Sequence, residues 1–370
     1  MEGFREFVKK EIVVIIAGAA ALISCAFVPV VNYIDYVDTE VIGTLFSLMA
    51  IIAGLKGNNV LSRFSGWIVE KAHINGTRRA LVVISLLTFF LSMLVTNDAA
   101  LIALVPVTVL FFADYPSQMI YAIVVQTVAA NMGSMATPFG NPQNLLIYSS
   151  YSITPAEFFA ASLPTTAVSL AAVLILCVLI KNKPLVPAEN DTAETTGSKA
   201  YIFLYGVLFV LVMVCVFTDM SILVAFASVC AVVMIIEPQR LFEVDYGLLI
   251  TFVFFFIFVE NIQRIDVVNS FITELVQGRE FFASAAISQV ISNVPAAVML
   301  SGFTDNWKAV MLGTDIGGLG TPVASLASLI SMRIYGETEN AKTGRFLGVF
   351  TVVNFVLLVL IYAFAELTQI

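Results

Sequence analysis

A chain whose apolar runs are long enough to cross a bilayer, and recur from one end to the other, has few folds open to it. Such runs fall at about 12–31, 41–55, 80–95, 99–112, 118–150, 156–180, 201–217, 221–236, 247–261, 281–303, 307–335 and 346–366. In hydrocarbon every backbone N–H and C=O needs a partner within the protein, so runs of this kind are helices. One crossing takes ~20 residues, at about 1.5 Å each, to span ~30 Å of lipid. Only 12% of the residues are charged, and mean hydropathy is +0.97; a soluble domain keeps roughly a quarter of its residues charged. The expected fold is an all-α polytopic membrane protein.

Several functions drop out at once. The net charge of −8 comes with no basic stretch, so no nucleic-acid partner is expected. Cys25, Cys177, Cys215 and Cys230 lie singly in apolar runs, without metal-ligand spacing. The single histidine, His73, sits in a polar connector. No cofactor is expected, and a membrane enzyme fits worst. The run from 12 to 31 is too long for a signal-peptide core and reads as a retained first helix.

Length also separates the runs. The region 80–112 has arms of about 15 residues on either side of Thr96-Asn97-Asp98. Short arms with a polar tip predict a re-entrant hairpin. The region 281–303, with Ser292-Asn293 at its tip, has the same form. If both return to their side of origin, fifteen of the eighteen Lys and Arg fall on one face, leaving Arg264, Arg279 and Lys308 on the other. That bias marks the cytoplasmic face and puts the N-terminus inside and the C-terminus outside a cell (inner) membrane.

The same order of parts occurs twice: helix, helix, connector, hairpin, broken helix, closing helix. The first set fills 1–180, a polar linker 181–199 follows, a helix in 200–220 flips the chain, and the second set fills 221–370. The flip makes the sets inverted repeats, each with a re-entrant hairpin and a discontinuous helix, an arrangement typical of secondary transporters. Echoes are sparse but ordered: Gly133/Gly317, Thr137/Thr321, Pro138/Pro322 and Leu145/Leu329 align between NMGSMATPFGNPQNLL and DIGGLGTPVASLASLI.

The candidate chemistry lies at the tips and breaks. Glycine and proline interrupt the runs 118–150 and 307–335. The first break brings Asn131, Gly133, Ser134, Thr137, Pro138 and Asn141; the second brings Thr314, Asp315, Gly317, Thr321 and Pro322. Freed carbonyls suit a cation and freed N–H groups an anion. Asn97 and Asn293 offer an oxygen or an amide at the tips, or cap the helices there. Asp98 and Asp315 are intramembrane carboxylates, and no Lys or Arg occurs between 80 and 180. An ionised Asp at mid-bilayer costs ~2.5–3.5 kcal/mol, so each must pair, protonate or bind a cation.

TNDAALIALVPVTV, NMGSMATPFGNPQNLLIY and ISNVPAAVML followed by GTDIGGLGTPVASLASLI resemble the ion transporter superfamily of arsenite permeases, NhaD-type antiporters and divalent anion–sodium symporters. The resemblance is to its citrate-transporter-like domain. It implies tips at Thr96-Asn97 and Ser292-Asn293 that hold Na⁺ and substrate, with Na⁺ at Asn97, Gly133, Asn293 and Gly317. It also implies a bundle moving as an elevator against a homodimeric scaffold. Val294-Pro295 and Ala324-Ser325 depart from the family pattern, and both departures fall on the second cation site. The expected function is Na⁺- or H⁺-coupled transport of a small anionic solute. A Na⁺/H⁺ antiporter, an arsenite efflux permease and a channel are the alternatives.

Overall fold

The computed structural model describes residues 12–28, 33–60, 74–185, 198–218 and 220–368. His73, most of the connector after residue 56, most of the linker 181–199 and the charges at Arg5, Lys9 and Lys10 lie outside these residues. Sixteen α-helices account for most of what is described: α1 Ile12–Phe27, α2 Thr39–Gly57, α3 Thr77–Ser92, α4 Asn97–Phe111, α5 Pro116–Ser134, α6 Pro142–Ser150, α7 Pro155–Leu179 and α8 Lys199–Phe217, then α9 Ile222–Ile236, α10 Tyr246–Gln263, α11 Asp266–Val276, α12 Glu280–Ile291, α13 Asn293–Ser301, α14 Trp307–Gly317, α15 Leu326–Gly336 and α16 Thr343–Thr368. Among the described residues the one β contact is an isolated bridge between Gly76 and Pro184. Five helices (α2, α7, α8, α10 and α16) are long and apolar enough to cross a membrane. Large apolar side chains such as Phe27, Leu179, Phe203 and Ile235 are exposed on the outside of the fold. Water would penalise such a surface, and lipid does not. The chain is an all-α, multi-pass membrane protein.

The helices form two groups. A panel of α1, α2, α8, α9 and α10 packs among itself, while α3–α7 and α12–α16 make a bundle around α5. From Ala122 to Ser134 every residue of α5 is buried. Aromatic edges join the groups, with Phe139 of the bundle against Phe209 and Phe217 of α8, and Tyr148 against Phe217. Packing partners exchange between the two halves of the chain: α1 packs on α10 as α9 packs on α2, α3 on α5 as α12 on α14, and α4 on α15 as α13 on α6.

Local chemistry fixes the boundaries that matter. The arm-to-arm turns are 93–96 and the single residue Ser292. Thr96 caps α4, its hydroxyl accepting from the Ala99 N–H. Asn141 caps α6 by accepting from the Asn144 N–H, and Pro142 takes the first helical position, where a missing N–H costs nothing. The breaks span 135–141 and 318–325, the second holding a short 3₁₀ turn at Pro322–Ala324. The helix α11, in a segment whose sequence reads as connector, is an addition to the expected elements. It carries Val267, Phe271 and Leu275 at a spacing of four, all exposed.

Two short stretches tie the linker to its neighbours. Lys181, Asn182, Lys183 and Pro184 accept hydrogen bonds from Thr77, Gln118, Arg78 and Tyr115 at 2.7–3.2 Å. At the far side of the linker the Ser198 N–H donates to Asn58 Oδ1 at 3.1 Å, and Asn58 in turn donates to the buried Glu237.

Candidate substrate and ion site

The first half-helix of each broken pair ends beside the tip of a hairpin, and four helices begin around one point. Their starts enclose a small pocket of about 10 Å³, lined by Asn97, Asp98, Pro142, Gln143, Asn293, Val294, Ser325 and Leu326. These residues are the caps or first turns of α4, α6, α13 and α15. The ninth lining residue, Leu248, comes from the first turn of α10 and closes the pocket from the panel. Roughly 10–15 Å³ is the room one water needs, so the pocket has space for no more than a single water or small ion. Helix N-termini carry positive partial charge and unpaired N–H groups, which favours an anion among them.

Two cross-links join the halves under this pocket. Asn141 Nδ2 and Gln143 Nε2 donate to Asp315 Oδ1 at 2.9 and 3.2 Å. The counterpart pair runs the other way: Ser325 Oγ donates to Asn131 Oδ1 at 3.0 Å, where Asn97 Nδ2 also donates at 3.2 Å. Each link joins the end of one broken helix to the cap of the other half's second segment. Asn131 is satisfied on both sides, its amide reaching the Gly318 carbonyl at 3.4 Å. Asp315 is not, because Oδ2 is buried without a partner, as are Asp98 Oδ1, Gln143 Oε1 and Asn144 Oδ1. A buried carboxylate oxygen without a donor is costly unless a cation or proton meets it.

The tip asparagines act alike locally. Asn97 Oδ1 accepts from the Asp98 N–H at 2.9 Å, and Asn293 Oδ1 from the Val294 N–H at 3.0 Å. The other expected residues form the frame. Thr137 donates to the Met93 carbonyl and Thr321 to the Gln289 carbonyl, each holding a break against the first arm of its hairpin. Thr314 returns its hydroxyl to the Val310 carbonyl, and Ser134 donates to the Asn131 carbonyl while accepting from Asn141. Gly133 and Gly317 lie in the last turns of α5 and α14, just before the breaks, where they allow close approach. A Cβ on Gly133 would run into the Phe89 backbone carbonyl, and one on Gly317 would sit 2.8 Å from Ser288 Cβ. Pro138 lies in the first break, and Pro322 opens the 3₁₀ turn of the second. None of these residues lines the pocket.

Of the pocket lining the sequence-based site named only Asn97, Asp98 and Asn293; it missed Pro142, Gln143, Leu248, Val294, Ser325 and Leu326, and Gln289 as well. Gln143 adjoins the break in GNPQN, and that position was its only signal. Gln289 stands in for missing backbone partners, donating to the Gly317 carbonyl at 2.7 Å and accepting from the Thr321 N–H at 2.9 Å. A second, larger cavity of about 540 Å³ lies between panel and bundle, lined by Glu40, Thr44, Tyr148, Ser149, Thr154, Phe217, Thr218 and Ser221 among others.

The profile of a citrate transporter family matches residues 5–306. An uncharacterized transporter of Methanocaldococcus jannaschii, MJ0456, is 31% identical over 334 residues, 90% of each chain. The inner membrane protein YbiR of Escherichia coli is 25% identical over 307 residues, 81% of each chain. A shorter match, 31% over 160 residues, joins 38% of this chain to 17% of the inorganic phosphate transporter PHO87 of Saccharomyces cerevisiae.

Proposed function

Because the chain belongs to the citrate transporter family and is a membrane transporter, we propose that it moves a small anion by coupling it to Na⁺ or H⁺, through an elevator-type exchange of the bundle across the panel. The observation that carries this reading is the pocket made of helix starts, set among orphaned carboxylate oxygens. Each helix start stabilises a nearby negative charge by about 0.3–1 kcal/mol at exposed sites, and by up to about 2 when partly buried. Asp98 and Asp315 would cancel that attraction while ionised. A cation or proton at each restores it, and binding of the coupling ion then becomes the condition for binding the anion. Asn97 and Asn293 hold the tips around the solute, Asn141 and Gln143 fix the Asp315 carboxylate, and Asn131 joins Asn97 to Ser325.

In this reading α3–α4 and α12–α13 are re-entrant hairpins from opposite faces, with the N-terminus cytoplasmic. The exchanged packing pairs support an inverted duplication. The panel is the scaffold, through which two copies form a homodimer, and the aromatic seam at Phe139, Tyr148, Phe209 and Phe217 gives the bundle an apolar surface to slide on.

The test is uptake into proteoliposomes of radiolabelled citrate and phosphate, anions named for the family and for one relative, under imposed Na⁺ or H⁺ gradients. Accumulation that collapses with the gradient is expected. The orphaned carboxylates also favour a Na⁺/H⁺ antiporter. That reading wins if no anion accumulates while a Na⁺ gradient alone drives proton movement, and if Asp98→Asn/Asp315→Asn ends it at every pH.

A further inference from the structure

The single panel residue at the pocket, Leu248, stands at the start of α10. The same local structure recurs at the start of α2. Val37-Asp38 and Val244-Asp245 precede the two helices, and a threonine follows each aspartate by six positions. Asp38 accepts from the Glu40 and Val41 N–H groups, and Asp245 from the Leu248 N–H at 2.9 Å. Thr44 and Thr251 are both buried and return their hydroxyls to the carbonyl four residues back, at 2.7 and 2.8 Å. In this register Val41 corresponds to Leu248, yet their surroundings differ. The start of α10 is covered by the hairpin tips. The start of α2 instead borders the cavity of about 540 Å³, through Glu40 and Thr44.

Further along, both helices meet the hairpins. Val259 of α10 is met by Gly302, beyond the tip Asn293, where an added Cβ would strike its side chain. Its counterpart on α2, Ile52, packs on the cluster of Leu87, Leu91, Val95, Ala100 and Leu104 around the first hairpin.

We propose that the start of α2, Asp38 to Thr44, is the second docking station for the hairpin tips, and that Val41 closes the pocket there as Leu248 closes it at α10. The inference rests on the elevator reading and adds the residues that exchange. The two stations are alike in cap and threonine, with Val41 in the register of Leu248 though fully buried in this arrangement, and the bundle occupies one while the cavity marks the other. Leu248 and Val41 act on the solute by sealing its pocket, so they are positioning residues.

The experiment uses the full chain in proteoliposomes with Cys25, Cys177, Cys215 and Cys230 replaced by alanine. Leu248→Cys/Val294→Cys should form a disulfide in resting protein, which also reports that the variants fold. Val41→Cys/Val294→Cys should form one as well, and in the triple variant each product should deplete the other. Leu326→Cys, in the pocket wall, should be reached by an impermeant thiol reagent from both faces. The Leu248–Val294 lock should reduce its labelling from one face at least ten-fold. Labelling from both faces with no Val41–Val294 product overturns the second station and leaves alternating access standing. Labelling from one face alone removes the elevator reading, and the station falls with it.

Discussion

The two hairpin tips share position and an asparagine, and little else. The first turns over four residues, 93–96, with Met93 helical and Thr96 extended. The second turns on Ser292 alone, at φ 76° and ψ 154°. Only glycine adopts that conformation readily, and a side chain there costs about 1–3 kcal/mol. Charge is divided just as unevenly. The first half carries its carboxylate at the tip, Asp98, and the second at the end of its broken helix, Asp315, where the first half has the neutral Asn131. The frame repeats closely, with Thr137 on Met93 and Thr321 on Gln289, and with Gly133 and Gly317 each pressed on a first arm. Packing has been kept in both halves while the chemistry has drifted apart. The two halves therefore present unequal sets of oxygen atoms to the pocket.

The frame offers the largest effect. Gly133→Ala drives a methyl group into a backbone carbonyl, whereas Gly317→Ala meets the side chain of Ser288 and the Ala285 Cα. Gly133→Ala should leave little monodisperse protein on size-exclusion chromatography, and Gly317→Ala a substantial fraction. Equal yields would mean that the two helix contacts are equally tolerant.

Charge comes next. Asp315→Asn should raise the apparent KM for Na⁺ by about ten-fold or more, since a lost charged contact is worth ~1.5–3 kcal/mol, with transport surviving at high sodium. Adding Asn131→Asp should fail to restore it, because one oxygen would already accept from Asn97 and Ser325 and the other would replace the amide that faces the Gly318 carbonyl. Recovery in the double variant, read as sodium-dependent uptake, would make the two positions equivalent.

A smaller contrast separates the tips. Asn97→Ala and Asn293→Ala should both severely weaken uptake, at ~1–3 kcal/mol per lost contact. Only Asn97 also reaches across to the broken helix, so its removal should lower thermal stability more. Matching melting curves would break that distinction. The smallest effect is favourable: Ser292→Gly should raise the melting temperature by a few degrees, relieving about 1 kcal/mol of strain, while Thr96→Gly should lower it by removing a cap.

Both hairpins, both breaks and both tips were legible, because a polar residue or a glycine–proline pair inside an apolar run almost always marks a turn or an interruption. What those residues do was less so. In sequence Gly133 and Thr137 look like makers of a break and of a site, whereas their partners, the Phe89 and Met93 carbonyls, lie more than forty residues away along the chain. Leu248 was invisible for the opposite reason: a leucine in an apolar helix announces nothing, and only its neighbours single it out. The likeness between the starts of α2 and α10 rests on three identical residues, too few to stand out without the capping hydrogen bonds. The helix α11 was missed because its polar residues, Asp266, Asn269, Ser270, Thr273 and Glu274, make a short amphipathic stretch look like a loop.

The linker's two anchored flanks bear on how such a chain could be cut or joined. Residues 181–184 are held by four residues at the starts of α3 and α5, and Ser198 by Asn58. Neither hold depends on the peptide between them. A stop codon and a new start placed within 186–197 would therefore yield two polypeptides, each ending or beginning at a hydrogen-bonded seat on the other helices. The halves also meet through Asn141 on Asp315 and Ser325 on Asn131, so the two polypeptides, expressed together, should still assemble.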